Sequence, residues 1–314
     1  MSASAHGLSP AESARLTRRV TLLSVATATV LVALKAGAWA VSGSVAMLAS
    51  LADSGLDLLA SLVTLFAVRY AAAPPDAEHR FGHGKAEAFA SLLQGGLVFA
   101  SAALVGREAV QGLITPHPIR QEGWAIAVMA VSTLLTGLLI TAQGRVLKQT
   151  ASVAVAGDRA HYASDLASNL IGLVGIAIAA LAGISGFDAV AGLGIAALLL
   201  WGAIGVFRQA SAQLLDRELP DQDRARIVDL LTEDPRLTDV HQLRTRAAGP
   251  YVHIQMHVDL DPNLTLDSAH QVIVDAENRV LSEFPAADII IHADPRGRAE
   301  PHGGAFQEGP PSAA

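Results

Sequence analysis

The chain contains no cysteine, and its 314 residues carry few charges for their length. Without thiols there is no disulfide, no thiolate metal ligand and no cysteine nucleophile, so any metal site must use histidine and carboxylate side chains. Charged residues make up only 16% of the chain and hydrophobic residues 51%, which excludes an ordinary soluble protein. A phosphate-binding loop of the GxxxxGK[ST] type is also missing, which disfavours an ATPase.

The apolar residues are concentrated in six runs near the length that crosses a bilayer. A hydrocarbon core of about 30 Å needs about 20 apolar helical residues. The runs predict six membrane helices, at 20–42, 46–70, 86–113, 122–144, 155–183 and 187–207. The first run is long and lacks a small-residue cleavage site, so we interpret it as a membrane anchor and not as a signal peptide.

Beyond the last run, the pattern changes to that of a small soluble domain. Two charged helical stretches, a hairpin through Gly249 and Pro250, and a final strand at 287–294 predict the order αββαβ. The predicted divisions are an N-terminal segment at 1–15, a six-helix membrane domain at 16–208, a soluble α+β domain at 209–296 and a disordered tail at 297–314.

Basic residues fall in alternate loops of the predicted membrane domain. They lie before the first run, between the second and third, between the fourth and fifth, and after the sixth, whereas the other loops hold Arg120 and little else. The positive-inside rule therefore predicts that both termini and the soluble domain are cytoplasmic. We expect the protein to lie in the inner (plasma) membrane. The net charge of −7 adds nothing to this placement, and no nucleic-acid partner is expected.

Two pairs of ionisable residues stand inside the predicted membrane helices. A charged side chain near the bilayer centre costs at least about 2.5–3.5 kcal/mol on insertion scales, so such residues are rare without a ligand or a polar pathway. Asp53 and Asp57 are four residues apart in the second run, and His161 and Asp165 repeat this spacing in the fifth. Each pair therefore lies on one helix face, and two carboxylates this close repel unless they share a proton or a cation.

Together, the two pairs predict a four-ligand cation site. One imidazole with three carboxylates suits zinc, and also cadmium, iron or cobalt, whereas oxygen-only sites favour manganese or magnesium. The alternative is that Asp53 starts a helix and that His161 and Asp165 cap one at the interface. Counted from the ends of the runs, the first pair lies toward the outer half of the membrane and the second toward the inner half. The sequence alone leaves open whether they meet.

The loop between the second and third runs carries Asp76, His79 and His83, with Gly82 and Gly84 flanking the last histidine. A glycine-rich turn can fold three metal-type side chains around one ion. A solvated polar loop is the alternative interpretation.

Six short motifs, in order along the chain, resemble the cation diffusion facilitator family, the proton-coupled zinc and iron exporters of bacteria. They are DSGLD in the second run, FGHGKAE after it, HYASD in the fifth run, LLDRELPD after the sixth, and HQLRTR and DIIIHADP in the soluble domain. The resemblance covers about residues 15–296. It implies a homodimer in which each protomer has six membrane helices and a cytoplasmic αββαβ domain of metallochaperone-like form.

The resemblance also implies three groups of metal ligands. The transport site comprises Asp53, Asp57, His161 and Asp165, and a weaker loop site comprises Asp76, His79 and His83. A two-metal site in the soluble domain comprises His241, His257, His270, His292 and Asp294, of which Asp294 is the bridging carboxylate. Lys85 and Asp216 resemble a charge interlock between the two domains, with ordinary surface charges as the alternative. His253 receives no role, and Lys35 in the first run is either buried and paired or extended toward the interface.

These observations predict an exporter of divalent metal, zinc above all, that exchanges metal for protons by alternating access. Carboxylates and imidazole must lose protons to bind metal, so the exchange follows from competition at one site. The soluble domain is expected to bind zinc and regulate transport, with a permanent structural zinc as the alternative. No organic cofactor and no enzymatic activity are expected. The rival function is a membrane-anchored metal sensor or scaffold that binds metal without moving it.

Overall fold

The computed structural model describes residues 7–43, 45–114, 123–182 and 187–298. Most of the predicted tail lies outside these residues, as does Arg120. The first six helices are α1 Pro10–Ser42, α2 Val45–Ala71, α3 Ala86–Ile114, α4 Gly123–Thr150, α5 Val153–Ala182 and α6 Phe187–Leu214. Within the described residues, five of them are long and apolar enough to cross a membrane, and α5 has 30 residues.

Three of these helices continue past the predicted apolar runs at the end that meets the soluble domain. α1 begins at Pro10 instead of 20, α4 ends at Thr150 instead of 144, and α6 ends at Leu214 instead of 207. Ser9 caps α1 through a capping box with Glu12, which makes this polar first turn stable without membrane contact. Apolar runs mark only the part of a helix that lies in hydrocarbon, so they do not predict these polar extensions.

The helix bundle has an apolar surface and a polar interior. Large apolar side chains face outward, including Phe66, which is 70% exposed, and Leu59, which is 60% exposed. Buried polar residues line the inside, among them Ser24, Thr64 and Gln94. α5 contacts each of the other five membrane helices, so its buried polar residues, such as Asp158 and His161, are surrounded by protein and not by lipid.

The soluble domain has the predicted order αββαβ. Its elements are α7 Asp221–Thr232, β1 Val240–Ala248, β2 Tyr251–Leu260, α8 Leu266–Glu283 and β3 Ala287–Pro295. β2 is the central strand, antiparallel to β1 and parallel to β3, with α8 as the crossover between the parallel strands. The core between helices and sheet is apolar and includes Ile227, Leu231, Ile254, Met256 and Val280. The predicted fold class, six membrane helices followed by an α+β domain, is confirmed.

A cluster of charges joins the membrane helices to the soluble domain. Lys85 Nζ lies 2.9 Å from Asp216 Oδ1, and Arg246 Nη1 lies 3.2 Å from Asp216 Oδ2. Partial burial acts to raise the pKa of Asp216, but the hydrogen bond from Lys85 and the charge of Arg246 hold it below its ordinary value. The ion pairs therefore contribute above the ordinary carboxyl pKa and weaken as pH falls through the lowered one. Because the groups are partly exposed, each pair adds at most about 1 kcal/mol.

The backbone makes a closer contact at the same junction. A Cβ atom at Gly84 would lie 1.9 Å from the carbonyl oxygen of Ala248, and one at Gly249 would lie 2.7 Å from the carbonyl oxygen of Gly84. Gly249 also has a φ of +57°, the left-handed region that the β1–β2 turn needs. The loop before α3 and the hairpin turn fit together only because both positions lack a side chain.

We expect Gly84→Ala to destabilise the full-length protein. Its methyl group would collide with backbone, which cannot rotate away as a side chain can, and such overpacking costs about 1–3 kcal/mol. The measurement is the melting temperature of the detergent-solubilised protein. Gly96→Ala in α3 is the matched control, since nothing lies within 4 Å of a Cβ there. An equal melting temperature for the Gly84 and Gly96 variants would show that the junction is not tight.

Candidate metal sites

Asp57 and His161 make direct contact inside the helix bundle. His161 Nε2 lies 3.0 Å from Asp57 Oδ1 and 3.8 Å from Asp165 Oδ2, so α2 and α5 contribute to one cluster. One ligand atom from each of the three residues lies within 4.8 Å of the others. His161 Nδ1 and Asp165 Oδ2 are buried without a hydrogen-bond partner among the described residues. Such orphaned atoms fit a site that accepts a cation.

Asp53 lies one turn from this cluster and is more exposed. It shares a cavity of about 240 Å³ with Asp57 and Asp165. Lys35 lines the same cavity and donates from Nζ to Ser54 Oγ at 2.6 Å and to the Ser50 carbonyl oxygen at 3.2 Å. The structure therefore brings three of the four predicted transport ligands together, with the fourth on the wall of the same cavity.

The position of α5 in the bundle explains how the two ligand pairs meet although they lie at different distances from the ends of their helices. At 1.5 Å per residue, Asp57 lies roughly 21 Å from the end of α2 and His161 roughly 12 Å from the start of α5. They still meet, because α5 starts inside the bundle. Ser152, immediately before α5, is buried and donates a hydrogen bond to Glu87 Oε2 at 2.5 Å.

Asp158 forms a second polar cluster that the sequence did not reveal. It is fully buried on α5, one turn before His161. It accepts hydrogen bonds from Ser24 Oγ at 2.7 Å, Gln143 Nε2 at 2.8 Å and Gln94 Nε2 at 3.2 Å, which lie on α1, α4 and α3. We refer to these four residues as the Asp158 network. The available signal was a third acidic residue at the start of the fifth run.

The loop residues Asp76, His79 and His83 also lie together. His83 Nε2 is 3.2 Å from Asp76 Oδ2, and His79 Nδ1 is 3.5 Å from Asp76 Oδ1. The His79 backbone N–H donates to the Asp76 carboxylate at 2.7 Å and lowers the pKa of Asp76, which favours the anionic ligand form. His83 is buried against the Tyr70 ring, and its Nδ1 has no hydrogen-bond partner among the described residues.

In the soluble domain, strand register aligns three histidines. His241 pairs with His257 across β1 and β2, and His257 pairs with His292 across β2 and β3. All three face Asp294, whose carboxylate oxygens lie 3.2 Å from His241 Nε2, 2.9 Å from His257 Nδ1 and 3.4 Å from His292 Nε2. One carboxylate that reaches three imidazoles has the arrangement of a bridging metal ligand.

The chemical details of this cluster also fit a metal. Burial acts to raise the pKa of Asp294, but the hydrogen bond from His257 and the neighbouring imidazole charges hold it below its ordinary value. A β-bulge follows His241, with Gln242 at a φ of +51°, and it turns the strand at this point. His241 Nδ1 is buried without a hydrogen-bond partner among the described residues, and Nε2 contacts Asp294 without hydrogen-bond geometry.

Two further histidines of the soluble domain lie away from Asp294. His270 is exposed on α8 and does not join the cluster within one chain. His253 is buried, lies 3.1 Å through Nδ1 from Asp288 Oδ2, and packs edge-on against Phe81 of the α2–α3 loop. Phe81 is in turn covered by the Arg246 guanidinium. His253 therefore belongs to the contact between the loop and the soluble domain.

Comparison with known proteins accounts for nearly the whole chain. Residues 21–215 match the cation efflux transmembrane domain, and residues 219–296 match the cytoplasmic domain of cation efflux proteins. The chain belongs to the cation diffusion facilitator family. It is 41% identical over 281 residues to the cation-efflux pump FieF of Cronobacter sakazakii and to that of Citrobacter koseri, covering 90% of this chain and 93% of each relative. It is 40% identical over 286 residues to FieF of Salmonella schwarzengrund, with the same coverage.

Membership in the cation diffusion facilitator family defines the general activity. The chain is a multi-pass membrane transporter that exports divalent metal cations, and the family is one of transporters and not of enzymes. Its second domain is a dimerisation domain, which supports a homodimer. The three residue clusters are therefore candidate positions for metal in a protein that moves metal.

The Asp158 network generates a test of what holds the bundle together. Asp158→Leu would remove the acceptor that Ser24, Gln94 and Gln143 share. Each of these donors keeps another acceptor nearby, so we expect a total cost on the order of 1–3 kcal/mol from placing an apolar side chain among buried polar groups. Asp158→Asn should cost less, because Gln94 Oε1 and Gln143 Oε1 have no partner among the described residues and can accept from the new amide. We therefore expect a larger drop in the melting temperature of the full-length protein for Leu than for Asn. Equal drops would contradict this account.

Proposed function

We propose that this cation diffusion facilitator exports zinc through a site made of Asp57, His161 and Asp165, with Asp53 as the fourth ligand, in exchange for protons. The observation that carries the proposal is the contact of Asp57 with His161 across two helices inside an apolar bundle. Each of these groups is expensive to insert into a membrane, and together they form a site with opposite charges and free ligand atoms. A purely structural role for this cluster would not account for its unpartnered ligand atoms.

The ligand types support zinc. An imidazole nitrogen with carboxylate oxygens is a set that zinc accepts in tetrahedral geometry, while oxygen-only sets favour manganese and magnesium. His161 is therefore the residue that should determine selectivity. Cadmium, ferrous iron and cobalt also accept this set, so they are expected as weaker or alternative substrates.

Proton exchange follows from the same contact. A hydrogen bond between His161 Nε2 and Asp57 Oδ1, 3.0 Å apart, needs a proton between the two atoms. Both atoms are candidate metal ligands, and neither can ligate a metal through that proton. A metal ion that occupies the site must displace the proton, and a returning proton favours release of the metal.

We further propose an orientation and a transport cycle. Arginine and lysine residues cluster at the bundle end that carries the soluble domain, which the positive-inside rule assigns to the cytoplasm, together with both termini. Metal then enters from the cytoplasm, occupies the site as protons leave, and is released outside when the helices reopen on that side. The Asp53 side of the cavity, one turn farther from the soluble domain, suits the exit.

The cytoplasmic cluster is proposed to hold zinc through His241, His257, His292 and Asp294 and to stabilise the homodimer. The unpartnered Nδ1 of His241 and the anionic Asp294 support this assignment. His270, exposed on α8, is available to complete the ligand set in the dimer. We propose a regulatory role, in which bound zinc shifts the population of transporter conformers, and the loop cluster of Asp76, His79 and His83 as a weaker site.

We expect Asp57→Ala to abolish most zinc uptake into proteoliposomes across a pH gradient. Loss of a direct ligand should exceed the roughly 10–100-fold loss that follows removal of an outer-shell partner. Glu108→Gln, an exposed carboxylate of α3 outside the cluster, is the control and should transport as wild type does. Transport by Asp57→Ala at the wild-type rate would refute the site, and a wild type that binds zinc without uptake would favour the sensor alternative.

His161→Asp tests the selectivity argument separately. The variant has an oxygen-only site, so uptake of manganese relative to zinc should rise while some transport remains. Zinc and manganese uptake are measured in the same vesicles with the same pH gradient. A ratio identical to that of the wild type would show that the imidazole does not determine selectivity.

Asp294→Ala tests the regulatory cluster. Removal of the carboxylate shared by three histidines should abolish zinc binding there and the zinc-dependent gain in dimer, as measured by sedimentation of the full-length protein in an Asp57→Ala background. Asp267→Ala, exposed in the first turn of α8, is the control. A zinc stoichiometry unchanged by Asp294→Ala would remove the assignment. Zinc uptake is measured separately in the Asp294→Ala single variant, and uptake equal to that of the wild type would leave only the structural role.

A further inference from the structure

Four arginines line one cavity at the soluble-domain end of α1 and α2. The cavity has a volume of about 520 Å³, and Arg15, Arg18 and Arg19 of α1 face Arg69 of α2 across it. The side chains of all four make no hydrogen bond or ion pair within the described part of the chain. Their nearest acidic neighbour along the chain, Glu12, is held by Ser9 in the α1 cap.

This arrangement concentrates charge without a protein anion. Arg15 and Arg18 are three residues apart and lie on one face of α1, and Arg69 stands in the last turn of α2. Like charges around one concave space repel, and a bound anion relieves the repulsion. Arginine guanidinium groups bind phosphate oxygens in a bidentate manner, which makes a phosphate group the best match.

The walls and surroundings of the cavity are apolar. Leu22, Val68 and Ala72 line it beside the arginines. Below Arg69, on the same face of α2, Phe66 and Leu62 are exposed and point to where the hydrocarbon lies. A free phosphate ion would use the guanidinium groups and leave these surfaces unused, whereas a phospholipid carries acyl chains that cover them.

We propose that this cavity binds the phosphate headgroup of an anionic phospholipid from the leaflet on the soluble-domain side, with its acyl chains along Leu22 and Phe66. Basic cavities between membrane helices are a recurring form of lipid recognition. The lipid joins the ends of α1 and α2, two helices that pack closely, at the level where both leave the membrane. The site is distinct from the three candidate metal clusters and holds none of their residues.

The test uses the purified full-length protein and phosphatidylglycerol, with phosphatidylcholine of the same chains and inorganic phosphate as comparison ligands. Native mass spectrometry measures the lipid retained at each concentration. We expect wild-type protein to retain phosphatidylglycerol in preference to phosphatidylcholine. We expect R18Q/R69Q to weaken phosphatidylglycerol binding about 25-fold, at about fivefold for each arginine. R208Q, an exposed arginine of α6 near the same bundle end and outside the cavity, is the matched control and should bind normally.

Three results would overturn the proposal. An equal loss of phosphatidylglycerol binding in R208Q would mean that any surface arginine supports lipid binding. Equal retention of both lipids would remove the headgroup specificity. Displacement of phosphatidylglycerol by millimolar inorganic phosphate would assign the cavity to a soluble anion. If R18Q/R69Q does not fold, as judged by its melting temperature, the single variants R18Q and R69Q are measured instead. Each should weaken phosphatidylglycerol binding about fivefold, and wild-type binding by both would refute the site.

Discussion

The central constraint on this structure is that charge in the membrane must be matched by charge or hydrogen bonds from protein. The Asp57–His161 contact meets this constraint across α2 and α5, and it fixes how the bundle is assembled. α5 must be central, because a lipid-facing α5 would expose His161, Asp165 and Asp158 to hydrocarbon. The small and hydroxyl-bearing side chains of the interior, such as Ser61 bonded to Tyr162 at 2.7 Å, allow the helices to approach closely enough.

The acidic residues Asp158 and Asp165 of α5 lie in two different environments. Asp158 accepts hydrogen bonds from neutral donors on three other helices, and both of its carboxylate oxygens are engaged. Asp165 keeps an unpartnered oxygen and lies on a cavity wall. Of these two carboxylates, Asp158 holds the bundle together and Asp165 remains available to a cation. A transporter needs both kinds of residue, because a site that binds and releases cations must be held in place by residues that keep their partners.

Much of the fold follows from simple patterns in the sequence. Apolar runs identify the membrane helices, and alternation with a Gly–Pro turn identifies the β1–β2 hairpin. The spacing of Asp53 with Asp57 and of His161 with Asp165 places each pair on a helix face, but the meeting of the pairs depends on α5 starting inside the bundle, which no local pattern encodes. Gln94 and Gln143 are uncharged residues in apolar runs, so nothing in the sequence marks them as partners of one acid. His253 likewise depends on a contact between distant segments.

The junction between the two domains also constrains how such a chain can change over evolutionary time. A side chain at Gly84 would collide with the backbone of Ala248, and one at Gly249 would collide with the backbone of Gly84. Gly249 also has a backbone angle that disfavours other residues. A single substitution at either position meets backbone, so an acceptable route requires both segments to shift together. We therefore expect these two positions to covary, or to stay glycine together, across homologous transporters, even though they lie far apart in the sequence.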